Sequence, residues 1–126
     1  MDQFQILELD HVQLAMPAGQ EHLARAFYSD VLGLTEESKP ENLAARGGVW
    51  FRGGSARLHL GVEQAFQAAR KAHPALVVRG LAALAVRCRD AGFAPIIDEP
   101  LPGVDRFYVF DPFGNRLGLL EPTEQR

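Results

Sequence analysis

The feature that most constrains the fold of this chain is an internal repeat. Residues 6–62 and residues 73–122 are each predicted to form one strand, one helix and three further strands, in the same order. The interval from His11 to His73 is close to the interval between Gly33 and Gly92, the glycines that end the two predicted helices. Such a repeat predicts two copies of one βαβββ unit that pack together, because neither unit buries its apolar face alone.

In the first unit, apolar and polar residues alternate from residue 6 to residue 16, with Val12, Leu14 and Met16 on one side. This alternation is typical of a strand with one buried face. Residues 17–34 then repeat apolar side chains at helical spacing, with Leu23 and Phe27 on one stripe. Short runs of β-branched and aromatic residues at 34–38, 47–53 and 56–62 predict three strands.

The second unit follows the same scheme after a connecting segment, residues 63–72. A strand is predicted within 72–78, a helix at 80–92, and three strands at 93–99, 105–111 and 115–121. The 126 residues are enough for one domain with its own core. The sequence therefore predicts a single α+β domain, residues 1–126, made of two modules.

Composition excludes several classes of partner. The formal net charge of −3 offers no basic surface for nucleic acid. No apolar run reaches the roughly 18 residues needed to cross a bilayer, and the start of the chain lacks the pattern of a signal peptide. Cys88 is the single cysteine, so an internal disulfide is impossible, and its place on the apolar side of a helix predicts a buried thiol. We expect a cytoplasmic protein that binds neither nucleic acid nor membrane.

Three of the four histidines occupy related strand positions. His11, His59 and His73 are each predicted to face away from the side that a helix covers, whereas His22 lies near a helix start and is expected to be solvated. A lone strand histidine is usually a hydrogen-bonded or exposed residue. Three at matching positions point instead to a metal site, because neutral imidazoles bind zinc, iron, nickel and copper and leave a position open for water or substrate.

Five segments taken together resemble the vicinal oxygen chelate superfamily, which includes glyoxalases, bleomycin-resistance proteins and extradiol dioxygenases. They are LDHVQLAM, FYSDVLGL, ARLHLGV, AHPALVV and FYVFDPFGNRLGLLEP. The resemblance covers nearly the whole chain, and its most specific parts are the helix end FYSDVLGL and the turn DPFGNRL. It implies that the modules form an open, curled barrel of mixed β-sheet whose concave side holds a divalent metal and a small-molecule substrate. It also implies a homodimer, sometimes formed by exchange of modules.

In that superfamily the metal ligands come from the first and fourth strands of each module. The corresponding positions here are His11, His59, His73 and Gly118. Metal-dependent members usually have a glutamate where this chain has Gly118, so the carboxylate ligand, which often serves as the catalytic base, is missing. Glu121 is offset by three residues and should face the other side of the strand. Three histidines could still hold Fe, Mn, Ni or Zn, or the metal could be lost while the cavity persists; no catalytic residue can be named.

Strand alternation also places candidate substrate-binding side chains. Trp50 and Arg52 share one face of the third strand, and Arg106 and Tyr108 share one face of the seventh. If these faces are concave, the pocket has aromatic walls and arginines for a carboxylate or phosphate. The alternative is ordinary packing for the aromatic residues and solvation for the arginines. Asp111 belongs to a tight turn, DPFGN, and is first a turn residue.

Three hypotheses for function remain open. The first is a metal-dependent enzyme that chelates vicinal oxygens of a small organic substrate, with isomerase, lyase or dioxygenase chemistry unresolved. The second is a metal-independent binding protein of the bleomycin-resistance type. The third is a regulatory or structural module that kept the fold without the chemistry.

Overall fold

The computed structural model describes residues 3–123, which form two four-stranded sheets and three short helices. Sheet A has the strand order β1-β4-β3-β2 and sheet B the order β5-β8-β7-β6. The strands are β1 (Val12–Met16), β2 (Thr35–Glu37), β3 (Val49–Gly53), β4 (Ala56–Val62), β5 (Ala75–Val77), β6 (Ile96–Ile97), β7 (Val104–Phe110) and β8 (Arg116–Pro122). The helices are α1 (Glu21–Ala24), α2 (Glu41–Ala44) and α3 (Leu81–Asp90).

The two sheets have the same connectivity. In each sheet the first strand of the module pairs in parallel with the fourth, and the remaining pairs are antiparallel. The parallel pairing is possible because a helix lies between the first and second strands of each module, where it covers one face of the sheet. This confirms the predicted α+β fold of two βαβββ modules with open, curled sheets.

Helix α1 continues without a break into a π-helical segment, Arg25–Val31. The segment places Phe27, Tyr28 and Val31 on its buried side, and π-helical turns are rare outside sites where packing or function requires them. The apolar stripe predicted for residues 17–34 is therefore present only in part: Phe27 and Val31 are buried, whereas Leu23 is 37% exposed and Ala24 is the buried residue of α1. Glycine at position 33, with a φ of 76°, ends the helical segment.

Both modules contribute to one hydrophobic core. Each sheet buries one face in this core, as shown by Leu14, Leu58 and Leu60 in sheet A and by Leu117 and Leu119 in sheet B. The modules meet where the Phe27 ring contacts the Phe93 ring at a centroid distance of 4.6 Å. Because the buried faces point toward the shared core, the opposite face of each sheet points away from it. Cys88 is fully buried, as predicted.

The turn DPFGN joins the two modules by hydrogen bonds. The buried Asp111 carboxylate accepts hydrogen bonds from the Tyr28 hydroxyl at 2.7 Å and from the Asn115 amide nitrogen Nδ2 at 3.0 Å. Asn115 also donates to the carbonyl of Ala15 at 2.9 Å and accepts from the main chain of Ala69. Asp111 is thus more than a turn residue, since it connects β7 to the helix of the first module.

Several predicted boundaries were wrong. The strand predicted from residue 6 begins only at Val12, and the strand predicted within 72–78 begins at Ala75. His11 and His73 therefore precede their strands and are not strand residues. The strand predicted at 93–99 is reduced to Ile96–Ile97, and the short helix α2 was not predicted. None of the helices in residues 3–123 is long and apolar enough to cross a membrane.

Candidate functional site

Three aromatic rings form a continuous stack on the outward face of sheet A. His59 lies in the middle: its ring centroid is 4.0 Å from that of Trp50, with the planes 4° apart, and 4.3 Å from that of His11, with the planes 19° apart. Strand pairing produces the first contact, because Trp50 and His59 are directly opposite each other on β3 and β4. The structure therefore brings together two of the three predicted histidines and one predicted substrate-binding residue.

Charged groups at one end of the stack fix the outer ring. The Asp10 carboxylate lies 2.9 Å from Nδ1 of His11, and Arg57 donates to the same carboxylate at 3.5 Å. The hydrogen bond to His11 lowers the pKa of Asp10. His59 is only 7% exposed, and burial together with the neighbouring His11 lowers its pKa. The neutral imidazole is the form that accepts a proton from a bound molecule or binds a metal. Burial therefore favours the form of His59 that can do either.

A cavity of about 480 Å³ opens in front of the stack. Its size is within the range typical of sites for small molecules. It mixes an aromatic wall with carboxylates and one guanidinium. The lining residues are Asp10, His11, Gln13, Glu37, Ser38, Leu43, Trp50, Arg57 and His59.

Sheet B has a corresponding row of positions, but these positions carry different side chains. Gly118 pairs with Ala75 on one side and Tyr108 on the other, just as His59 pairs with Gln13 and Trp50. A Cβ atom at position 118 would be 3.2 Å from the Ala75 Cβ and 3.6 Å from the His73 ring. His73 therefore lies beside Gly118 as His11 lies beside His59, and the space that a family glutamate would enter is narrow.

The imidazole nitrogens of these histidines are of a kind that binds metal ions, but the described part of one chain does not bring all three together. Imidazole nitrogen is a common metal ligand, and His11 and His59 are adjacent. Their rings are nearly parallel, so their in-plane lone pairs do not converge in this arrangement. Within residues 3–123 no group of three or more His, Cys, Asp or Glu side chains is placed to hold a metal ion, and His73 is in the other module. A site with all three histidines would need His73 brought to the stack, from the same chain or from a second copy, and a rotated ring.

The predicted arginines lie apart from the stack. Arg106 donates to the carbonyl of Glu99 at 2.6 Å and approaches Asp98, and Arg52 is exposed next to Glu37 at 3.9 Å. Neither lines the cavity at His59. Tyr108 does face outward, and its ring is covered by the guanidinium of Arg116 at 4.1 Å.

Among the lining residues that sequence reasoning did not select, Asp10 and Arg57 form the ion pair beside His11. The signal for Asp10 was its place directly before His11, where a carboxylate can orient the ring. The signal for Arg57 was its position two residues before His59, which places both on the same face of β4. Glu121, considered as a substitute ligand, instead accepts hydrogen bonds from the backbone N–H groups of Gly80 and Leu81 at 3.0 Å each, at the start of α3.

Comparison with solved structures identifies the family. A glyoxalase family protein from Bacillus anthracis is 44% identical in sequence, and the match covers 97% of this chain and 100% of that chain with a TM-score of 0.92. This chain belongs to the glyoxalase family. The vicinal oxygen chelate membership predicted from the sequence is confirmed.

More distant relatives share the fold. The fosfomycin resistance protein FosX from Listeria monocytogenes matches with a TM-score of 0.72 at 14% identity, over 97% of this chain and 96% of that chain. A glyoxalase/dioxygenase from Nostoc punctiforme matches with a TM-score of 0.75 at 18% identity, over 98% of this chain and all of that chain. No family model matches the sequence, and no curated protein matches it either.

Proposed function

We propose that this glyoxalase-family chain is an enzyme that binds a small organic molecule bearing vicinal oxygens against the stack of Trp50, His59 and His11. The observation that supports this most directly is the stack itself, two imidazoles and an indole in contact at the edge of a cavity of about 480 Å³. Closely packed rings in a folded chain form a flat wall, which suits planar or conjugated ligands.

We propose that His11 and His59 of one copy and His73 of a second copy hold a divalent ion. The donor types fit, and His73 occupies the position in sheet B that His11 occupies in sheet A. The ion, when bound, supplies Lewis-acid polarisation of a substrate oxygen. Joining sheet A of one copy to sheet B of another requires a homodimer, which also agrees with the family.

The chain's own residues would orient the substrate. Asp10 accepts the Nδ1 proton of His11 and leaves Nε2 free to face the cavity. Arg57 offers a guanidinium to an anionic group, and Trp50 excludes water from one side of the bound molecule. Gly118 brings no carboxylate, so any proton removed from the substrate would pass to an imidazole, to water, or to one of the cavity carboxylates of Asp10 and Glu37.

A second candidate is a metal-independent binding protein. Two observations favour it. The His11 and His59 rings are nearly parallel, so their lone pairs do not converge on one ion. The space at Gly118 is narrow and contains no carboxylate ligand. In that case the same aromatic wall would bind a ligand without transforming it.

Metal content of the tag-free protein, measured by inductively coupled plasma mass spectrometry after incubation with Fe, Mn, Ni or Zn, tests the proposal. His59→Ala and His73→Ala are the site variants, and His22→Ala is the matched control because His22 is exposed outside the cavity. We expect about one ion per chain in the native protein and the control, and loss of the ion in both site variants.

The same preparations then discriminate between the two candidates. A metal-loaded protein that converts a dicarbonyl, a catechol or an acyl thioester would support the enzyme. Metal content equal in His22→Ala and His59→Ala would contradict the three-histidine site. In that event, binding of an aromatic carboxylate that is abolished by Trp50→Ala would support the binding protein.

A further inference from the structure

The N-terminal arm, residues 3–10, is the most exposed apolar segment that the structure describes. Phe4, Ile6, Leu7 and Leu9 are 77–88% exposed, and none of the arm belongs to a helix or strand. Isolated apolar residues on a surface are ordinary, but four within six residues form a patch of the kind that marks a binding surface.

A cavity between the two modules offers a complementary surface. It is an apolar groove of about 610 Å³ between the modules, lined by residues of both. We call it the intermodule groove. Apolar side chains that line it are Leu32, Leu34, Leu76, Val77, Val78 and Leu84.

The groove also has a free strand edge and a positive rim. Among the strands that the structure describes, β5 is at the edge of sheet B and pairs only with β8, and its Val77 side chain is 72% exposed. An unpaired edge can accept an extended segment by main-chain hydrogen bonds. Arg79 and Arg87 lie at the groove, and the arm carries Glu8 between its apolar residues. Shape, strand edge and charge therefore match the arm.

We propose that the N-terminal arm of one copy of this chain docks in the intermodule groove of a second copy. Four side chains of this size, about four-fifths exposed, would remove on the order of 500 Å² from water per arm. Two reciprocal arms with their grooves would then bury roughly 2,000 Å², which is enough for a stable dimer. The arm ends at Asp10, directly before His11, so its docking would attach the candidate site to the partner.

This inference deepens the proposed function, because that function also needs a second copy, but it predicts a different contact. Cysteine cross-linking tests the contact itself. The native Cys88 is fully buried, so introduced cysteines report without interference. Leu7→Cys protein is mixed with Val77→Cys protein under mild oxidation, and a disulfide between them can form only between copies. The control is Leu7→Cys mixed with Asp90→Cys, an exposed position outside the groove.

We expect the first mixture to form the mixed covalent dimer at least tenfold faster than the control. Equal rates in the two mixtures would overturn the proposal. A single chain that carries both Leu7→Cys and Val77→Cys, and closes an internal disulfide faster than the mixture cross-links, would also overturn it, because the arm would then occupy its own groove.

Sedimentation of the full-length protein supplies the energetic test. We expect Ile6→Ser combined with Leu7→Ser to raise the dimer dissociation constant about a hundredfold or more, since two large apolar contacts per arm are lost. Val86→Ser, at an exposed apolar position on α3 outside the groove, is the control and should leave the constant unchanged. A native protein that is monomeric, or a double variant that dimerises as tightly as the native protein, would overturn the proposal. Metal content does not enter either measurement, so a protein without metal that dimerises through its arms would contradict only the proposed function.

Discussion

Sheets A and B share their strand order and differ in the row of residues at their centres. In sheet A the row is Gln13, His59, Trp50 and Glu37, and in sheet B it is Ala75, Gly118, Tyr108 and Ile96. The first row carries polar and aromatic groups, while the second is a glycine flanked by apolar and aromatic side chains. The same backbone thus presents polar and aromatic side chains in one module and mainly apolar ones in the other.

The hairpins of the two modules also differ, because one turn is exposed and the other is buried. β3 and β4 are joined by the short exposed turn at Gly54 and Ser55, whereas β7 and β8 are joined by the turn at residues 111–115, whose Asp111 and Asn115 are buried. Within residues 3–123, only the second hairpin hydrogen-bonds to the other module, through Tyr28 and Ala15. Sheet A therefore provides the candidate site, and sheet B provides the connection that holds the modules together.

The largest expected effect comes from breaking this connection. Asp111→Ala should lower the free energy of unfolding by about 3 kcal/mol, because it leaves the buried Tyr28 hydroxyl and Asn115 amide without their acceptor. Urea denaturation followed by far-UV circular dichroism measures the change. Ser55→Ala, in the exposed hairpin of sheet A, is the control and should change stability by less than about 0.5 kcal/mol. Equal losses in the two variants would show that the hairpins are equivalent.

The second prediction compares the aromatic residues of the two rows. Trp50→Ala should expose His59, whose pKa is lowered chiefly by burial, and so raise that pKa toward its ordinary value. Tyr108→Ala removes the matching ring of sheet B and should leave His59 unaffected. Both variants should lose about 2 kcal/mol of stability, since each ring is half-buried.

The measurement is a titration of the histidine ring signals by NMR. A lowered pKa in the folded state means that stability falls as the pH drops from about 6.5 toward the folded value, because the unfolded chain takes up the proton more readily. Trp50→Ala should weaken this dependence. An unchanged His59 titration in Trp50→Ala would contradict the role assigned to the indole.

The third prediction concerns the glycine at the centre of sheet B. Gly118→Ala should cost about 1 kcal/mol, because the new methyl group would be 3.2 Å from the Ala75 Cβ. Ala75→Gly in the same chain should restore part of that loss, and thermal denaturation of the two single variants and the double variant measures the coupling. Additive effects would show that the row in sheet B is as open as the row in sheet A.

The sequence predicted the part of this comparison that depends on local pattern. Alternation placed Leu58 and Leu60 in the core and His59 on the outward face, and both assignments are confirmed. It could not predict that His11 precedes its strand, because an exposed extended segment and a paired strand have the same alternation. Which side chains meet also depends on register, so the contact of Asp10 with Arg57 and the separation of Arg106 from Trp50 follow only from the folded chain.

The smallest expected effect concerns two carboxylates of sheet B with opposite pH behaviour. Two backbone N–H groups at the start of α3 lower the pKa of Glu121, so its stabilising effect is present above about pH 4.5 and is lost as the pH falls below that value. Burial raises the pKa of Asp111, so ionisation of this group lowers stability as the pH rises above 3.8. Urea denaturation between pH 3 and pH 7 separates the two contributions. Glu121→Gln should reduce the gain in stability on raising the pH, whereas Asp111→Asn should increase it; a shift in the same direction in both variants would mean that Asp111 is stabilised by its hydrogen bonds more than it is penalised by burial.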